Sequence, residues 1–237
     1  MGKDKLKRFE ENKSFRCLYQ PEFEEVFRTD YKIKGLWHKE HFSNQRDIVL
    51  ELGCGRGEYT IALARKYPHK SFIGVDIKGA RLWRGAKTAT DEQMDNAAFV
   101  RCRIEFIESV FARDEVSEIW ITFPDPQIKR DNKRLTSAGF LQRYRTFLKD
   151  GGVVHLKTDS PFLYNYTLEL VKQNNLELLE ANEDIYGSGR ADDLLSVKTR
   201  YESQFLSMGM KITYLSFCLR RDGALKEPVW DSEQFER

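Results

Sequence analysis

Residues 47–52 read Asp-Ile-Val-Leu-Glu-Leu and run directly into Gly53-Cys54-Gly55-Arg56-Gly57, after which Ile61, Leu63, Ala64 and Tyr67 fall at helical spacing before Pro68. This is a compact apolar strand, a glycine turn and a helix. The pattern recurs down the chain. Residues 71–75 form a second strand ending at Asp76, with a helix from Lys78 to about Asp91, and residues 97–102 form a third. Residues 117–123 give a fourth strand, and Ser137 caps a helix carrying Phe140, Leu141, Tyr144, Phe147 and Leu148, which Gly151 and Gly152 stop. A fifth strand over 153–157 ends at Thr158-Asp159, and Ser160-Pro161 opens the next helix. Alternation this regular predicts an α/β fold built on a parallel sheet with helices on both faces. After Gln173 the order loosens: a strand over 176–181, a loop over 186–190, a helix over 199–207 and a long alternating strand over 211–219. The last two strands are expected as an antiparallel pair at one edge.

Nothing among the 237 residues reads as a Pro/Gly/Ser-rich linker, so a single domain with a sizeable core is the working expectation. Residues 1–20 are polar and basic, which suggests a mobile arm or a loosely docked helix; Pro21 then starts a helix with Phe23, Val26 and Phe27 on one face. Lys plus Arg at 39 against Asp plus Glu at 37 leaves a net charge of +2, too small for a whole-chain field that attracts nucleic acid. Basic surface is therefore local. It gathers at Lys3, Lys5, Lys7, Arg8 and Lys13, where a solvated face is the plainer reading, and at Lys129, Arg130, Lys133 and Arg134. The four cysteines are scattered and no histidine lies at metal spacing from them, so reduced thiols and no metal are expected. No run approaches the roughly 18 apolar residues of a membrane span, and the N-terminus lacks the apolar core of a signal peptide, so the expected location is the cytoplasm. Monomer and homodimer both remain open.

A dinucleotide site would carry Gly-x-Gly-x-x-Gly, yet position 58 is Glu58. The turn instead reads Glu51-x-Gly53-x-Gly55-x-Gly57, which resembles the first motif of Rossmann-type S-adenosylmethionine-dependent methyltransferases. The resemblance implies that Glu51 helps hold the methionine end, that Gly53 and Gly55 let the cofactor lie against the turn, and that Asp76 accepts hydrogen bonds from the ribose hydroxyls. Against it stand two plainer readings, a tight strand-to-helix connection and a helix-capping aspartate.

The fourth strand ends in a second constraint. Pro124 and Pro126 bracket Asp125 and should push Phe123 and Asp125 towards extended backbone, holding the carboxylate on a stiff strand end. In an open parallel sheet that edge is where ligands sit. Phe123-Pro124-Asp125-Pro126 with Lys129, followed by Asn132-Lys133-Arg134, resembles the bacterial tRNA (guanine-N7-)-methyltransferases, whose motif is Phe-Pro-Asp-Pro-Trp-x-Lys and then a Lys-Arg pair. Thr158-Asp159 and Thr199-Arg200-Tyr201-Glu202, the latter similar to the family's Thr-Lys-Phe-Glu, extend the match in order from about residue 48 to 219.

The resemblance implies a Rossmann-like class I fold with a mostly parallel seven-stranded sheet. Its expected organisation is a basic arm and helical lead-in over 1–45, a methyltransferase domain over 46–221 and a tail over 222–237. It also implies S-adenosyl-L-methionine as cofactor and tRNA as substrate, at the guanine of position 46 in the variable loop. Asp125 would serve both cofactor and catalysis. Lys129, with Lys133 and Arg134, would meet phosphates, and Asp159, Thr199, Arg200, Tyr201 and Glu202 would line the substrate side. Thr199 and Glu202 equally suit a capped first helical turn. Two departures stand out: Gln127 replaces the tryptophan, and Arg103-Ile104 replaces the Asp-Ala whose acid contacts the adenine, leaving Arg103 to contact it by backbone or by stacking.

Guanine N7 carries an in-plane lone pair and no proton, so placement rather than a strong base is what the reaction needs. Guanine presents N1–H and an amine as donors on its other edge, which suits a fixed carboxylate such as Asp125. Two rivals remain. One is methylation of an exocyclic amine, whose enzymes usually follow Asp/Asn-Pro with a second proline and an aromatic, where Gln127-Ile128 stands here. The other is a non-catalytic RNA-binding module, favoured by Arg103; cofactor binding separates it.

Overall fold

The structure is a computed structural model that describes residues 3–192 and 194–229, with the side chains of Lys3, Arg200 and Tyr201 outside that set. The chain forms two compact units, residues 1–117 and 118–237. Among the described residues eight strands make one mostly parallel sheet in the order β1-β4-β3-β2-β5-β6-β8-β7, numbered along the chain.

In the first unit β1 (Leu18–Tyr19), β2 (Ile48–Leu52), β3 (Ser71–Asp76) and β4 (Ala97–Arg101) pair in parallel. The expected α/β architecture is present, with one strand more than seven. The addition is β1, whose two residues are too few to show an alternation; Phe99 N–H donating to Cys17 O at 2.7 Å fixes it beside β4. Helices α1 (Lys3–Asn12), α3 (Glu58–Lys66) and α4 (Gly79–Asp91) flank these strands. The basic N-terminal stretch is a docked helix: Asn12 Nδ2 donates to Gly79 O at 2.9 Å, Trp83 Nε1 donates to Glu11 at 2.5 Å, and the Arg8 guanidinium lies 4.9 Å from the Trp83 ring. The helix expected from Pro21 is shorter than its pattern. It covers only Phe23–Val26 (α2), starts after a capping box between Glu22 and Glu25, and gives way to extended backbone at Phe27. Only Val26 of its apolar residues is buried.

Phe99 on β4 shapes the packing around the glycine turn. A Cβ at Gly57, the left-handed residue preceding α3, would stand 2.4 Å from the Phe99 ring, and one at Gly85 on α4 would stand 2.5 Å from it. Strand and helices meet that closely only because both positions lack side chains.

β5 (Val116–Thr122) leads into the second unit, which contains α5 (Ala138–Tyr144), β6 (Leu148–Thr158), α6 (Pro161–Gln173), β7 (Glu177–Asn182), α7 (Arg200–Ser207) and β8 (Thr213–Leu219). β8 runs antiparallel to both β6 and β7, as the alternating C-terminal pattern suggested. α5 stops at Tyr144 although apolar spacing continues to Leu148. Leu148 O accepts from Arg221 at 2.6 Å, and Arg145 reaches to Asp222 O and Gly223 O at 2.9 and 2.7 Å, so the C-terminal stretch draws these residues out of the helix. Further along that stretch Glu227 accepts from Ala138 N–H at 2.9 Å and from the Tyr166 hydroxyl, placing a carboxylate at the start of α5. Among the described residues no helix is long and apolar enough to cross a membrane.

Candidate active site

In the first unit the end of β2 is tied to β3 through Gly53 N–H and Cys54 N–H, both donating to Val75 O at 2.8 and 3.1 Å. Gly53 and Gly55 have φ of 78° and 58°, left-handed values that only glycine adopts without strain, and a Cβ on either would project into open space. The turn therefore offers bare backbone, a cradle that any side chain would fill. Asp76 is drawn into it: Oδ2 accepts from Gly55 N–H at 2.9 Å and Oδ1 from Lys78 N–H at 2.7 Å. Each carboxylate oxygen keeps a further lone pair for a hydroxyl donor. A backbone cradle with an acid at its rim fits the ribose-bearing cofactor implied by the motif.

Glu51 is 3% exposed, and its Oε2 accepts from Thr60 N–H at 2.8 Å and from the Thr60 hydroxyl. Its carboxylate thus holds the first turn of α3. Arg103 is exposed, pairs with Glu105 at 3.1 Å and lies 5.9 Å from the Phe106 ring. Burial pushes the Cys102 thiol up to about 12, and burial beside Glu51 and Asp76 raises Cys54 well above the thiol range, so both are unreactive at neutral pH.

In the second unit the Pro-Asp-Pro segment departs from the local rule. Phe123 has φ of 48°, in the left-handed region and not the extended one that the following proline favours. Its N–H donates to Lys157 O at 2.8 Å, and its ring lies 6.0 Å from Phe205 and 5.8 Å from the Lys157 ammonium. These contacts hold it there against a cost of about 1 to 2 kcal/mol. Gln127, where the family has tryptophan, is also left-handed at 51°. Asp125 sits exposed between these two strained residues, with Oδ1 accepting from Gln127 N–H at 3.0 Å. Lys129 is exposed close by.

Arg134 is no surface cation. It is 3% exposed, donates to Ile128 O at 2.6 Å, pairs with Asp131 at 2.7 Å, and has its guanidinium 4.8 and 4.5 Å from the Phe162 and Tyr166 rings of α6. It pegs the segment after Asp125 to that helix, and the phosphate contact expected of it has no surface to act from.

At the end of β6 Asp159 is half-buried, and burial raises its carboxyl pKa. Two residues earlier stands a group that spacing did not single out. Lys157 and Glu202 are both 0% exposed, with Nζ 2.7 Å from Oε1. Lys157 Nζ also donates to Leu195 O at 2.6 Å and Val197 O at 3.3 Å, while the Tyr186 hydroxyl donates to Glu202 Oε1 at 2.8 Å. Thr199 caps α7 by accepting from Glu202 N–H at 3.2 Å, so the capped-turn reading holds for the threonine, whereas the Glu202 carboxylate turns inward to Lys157. The available signal was a lysine following Val153, Val154 and Leu156 near the end of β6. The side chains of Arg200 and Tyr201 lie outside the described residues. The structure thus gathers Phe123, Lys157, Thr199 and Glu202 into one group.

The histidines have structural partners. His155 stacks 4.0 Å from Trp120 and meets Tyr214 Oη at 2.7 Å and Glu118 at 3.2 Å; His38 bonds Arg46 O at 2.9 Å and His41 the Tyr19 hydroxyl at 3.0 Å. Among the described residues no group of three or more His, Cys, Asp or Glu side chains could hold a metal ion.

A family model described as "Putative methyltransferase" matches residues 45–215. A tRNA (guanine-N(7)-)-methyltransferase of Christiangramia forsetii is 53% identical over 222 residues, covering 92% of this chain and 99% of that protein. The enzyme of the same name from Bacteroides thetaiotaomicron is 50% identical over 228 residues, 96% of this chain and 90% of that one. Among solved structures the 16S rRNA methyltransferase KamB superposes with a TM-score of 0.60 at 14% identity, covering 77% of this chain and 92% of its own, a likeness of fold.

Proposed function

The chain belongs to the tRNA (guanine-N7-)-methyltransferase family, and we propose that it transfers the methyl group of S-adenosyl-L-methionine to N7 of a guanine in tRNA, at position 46 of the variable loop. The observation that carries this reading is near-full-length identity to curated enzymes of that name, at half of all positions. The reading brings a cytoplasmic location with it, where tRNA is found.

When bound, the cofactor supplies an electrophilic methyl carbon on a sulfonium. The chain's own residues have three tasks. Gly53 and Gly55 offer a surface without side chains, and the remaining lone pairs of Asp76 accept the ribose hydroxyls. Asp125 accepts N1–H and the exocyclic amine of guanine, which turns N7 outward and rejects adenine, whose edge presents a different donor pattern. As the ring gains a methyl group it becomes cationic, and the same carboxylate stabilises that charge. Lys129 holds a backbone phosphate, so affinity falls with salt. Holding N7 at about 3 to 3.5 Å from the methyl carbon supplies much of the acceleration. The backbone at Phe123 and Gln127 supports this assignment of Asp125, since strained residues persist where the surrounding fold over-determines them.

The test is incubation of the purified chain with labelled S-adenosyl-L-methionine and unmodified tRNA, followed by chemical cleavage at 7-methylguanosine. Label confined to adenine, or absent from tRNA, overturns the proposal. Asp125→Asn is expected to keep cofactor affinity and lose most turnover; undiminished turnover removes Asp125 from its role.

A further inference from the structure

The Pro-Asp-Pro segment and the basic run behind it form one connection, residues 123–137, between β5 and α5. Arg134 holds its middle by donating to Ile128 O at 2.6 Å, three residues after Asp125 and next to Lys129, while its guanidinium rests 4.5 Å from the Tyr166 ring. The far end is Ala138, whose N–H donates to Glu227 Oε1 at 2.9 Å, and the other oxygen of that carboxylate accepts the Tyr166 hydroxyl. Both holds on the connection therefore meet at one phenol ring. We propose that Glu227 is a positioning residue of the methyltransferase: it fixes Tyr166 and the start of α5, and through the Arg134 guanidinium on that ring it sets the connection on which Asp125 and Lys129 meet tRNA. The inference rests on the reading of the chain as a tRNA guanine methyltransferase and on the part given there to Asp125.

The C-terminal stretch has its own anchors at the end of α6. Lys226 N–H donates to Asn174 Oδ1 at 2.7 Å, Asn174 Nδ2 to Lys226 O at 2.8 Å, and Gln173 Nε2 to Glu227 O at 3.0 Å. These bonds hold the stretch through its backbone, which leaves the Glu227 side chain for the two groups that flank the connection. Tyr166 suits the task. Phe162 lies parallel to it, with 6.3 Å between centroids and 17° between planes, so the two rings offer Arg134 one flat face. A turn of the phenol would tilt that face and carry Ile128 with it. Burial and Glu227 raise the Tyr166 hydroxyl pKa and Arg134 opposes them, so the phenol stays a donor to the carboxylate. Asp131, the ion-pair partner of Arg134, is 71% exposed and screened by water, so the rings and Ile128 O are what orient the guanidinium on its buried side.

The experiment compares Glu227→Ala, Tyr166→Phe, the double variant and the parent as full-length chain, each below its own unfolding transition. Stoichiometry and Kd for S-adenosyl-L-methionine come first, then kcat and KM for tRNA per cofactor-binding molecule, so that lost fold and lost placement are read apart. Each single variant is expected to keep cofactor Kd within about twofold and to lose about 10-fold in kcat/KM for tRNA, with the larger share in kcat, because a misplaced guanine partner costs the reaction more than the binding. The double variant should lose no more than about twofold beyond the worse single one, since both act through the same ring. A Glu227→Ala chain with undiminished kcat/KM, or losses that multiply in the double variant, overturns the proposal. If Glu227→Ala does not fold, Tyr166→Phe carries the test, and full kcat/KM there refutes it. A parent that methylates no guanine N7, or Asp125→Asn with undiminished turnover, removes the reading beneath the inference and the inference with it, a result distinct from all of these.

Discussion

Replacing Arg134 by Met tests whether the basic run after Asp125 is one surface or two kinds of residue. Methionine keeps the length of the side chain and its apolar contact with Phe162 and Tyr166 but removes the guanidinium. Three interactions go with it. A desolvated cation over two rings contributes about 0.5 to 1 kcal/mol per ring at the lower end of the range. The charged donor to Ile128 O at 2.6 Å contributes about 1.5 kcal/mol at the lower end. The pair with Asp131 adds little, because Asp131 is 71% exposed and water screens it. The expected loss is therefore about 3 kcal/mol, read as a lower urea midpoint with the slope unchanged. In the same preparation the dependence of tRNA affinity on salt should keep its slope, whereas Lys129→Ala should reduce that slope by about 1 and leave stability within about 0.5 kcal/mol. An Arg134→Met chain as stable as the parent, with a shallower salt slope, would refute the buried-peg argument and return Arg134 to the phosphate surface.

Asp159 gives a pH-dependent outcome. Its folded pKa is raised, so its contribution to stability is fully present below the unfolded aspartate value of about 3.9 and is lost as pH rises through the folded pKa. Asp159→Asn should thus melt above the parent at pH 7, the gap should close below about pH 3.9, and tRNA affinity should fall; an equal gap at both pH values removes burial as the cause. Alanine at two glycines of one turn should separate packing from binding. Gly57→Ala meets the Phe99 ring at 2.4 Å on a left-handed backbone and should cost about 2 to 5 kcal/mol. Gly53→Ala meets nothing, should cost about 1 to 2 kcal/mol, and should weaken S-adenosyl-L-methionine binding measured by titration. Equal stability losses would show that the two glycines do the same work.

Strands β2, β3 and β5 were legible because each is a short apolar run closed by a glycine, an acid or a proline, and β4 because its apolar run breaks at Arg101. β1 and α2 were not, since two and four residues hold too little pattern and their form is set by the bond that Phe99 N–H of β4 donates to Cys17 O and by the Glu22–Glu25 box. Phe147 and Leu148 kept helical spacing while Arg145 and Arg221, bonded across more than 70 residues, reassigned them. The site shows the same division. The glycine turn and Asp76 meet where local order put them. Arg134 read as surface charge because the rings enclosing it lie on α6, and Lys157 passed unnoticed because its partner is 45 positions away in sequence. Phe123 broke the proline rule because tertiary contacts outweighed a local preference of similar size.

The Phe99 ring makes the glycine turn an epistatic unit. Gly57 precedes α3 and Gly85 lies on α4, yet each is held to hydrogen by the same aromatic edge. Neither position can accept a methyl group while the ring stays; a smaller residue at 99 would relieve the shared contact, leaving the left-handed backbone at Gly57 and the Arg56 carbonyl 3.0 Å from a Cβ at Gly85. In lineages descending from this sequence, glycine at 57 and 85 should therefore be lost only after, or together with, a change at 99. Gly53 and Gly55 answer to no such neighbour, and their replacement would depend on the left-handed backbone and the ligand.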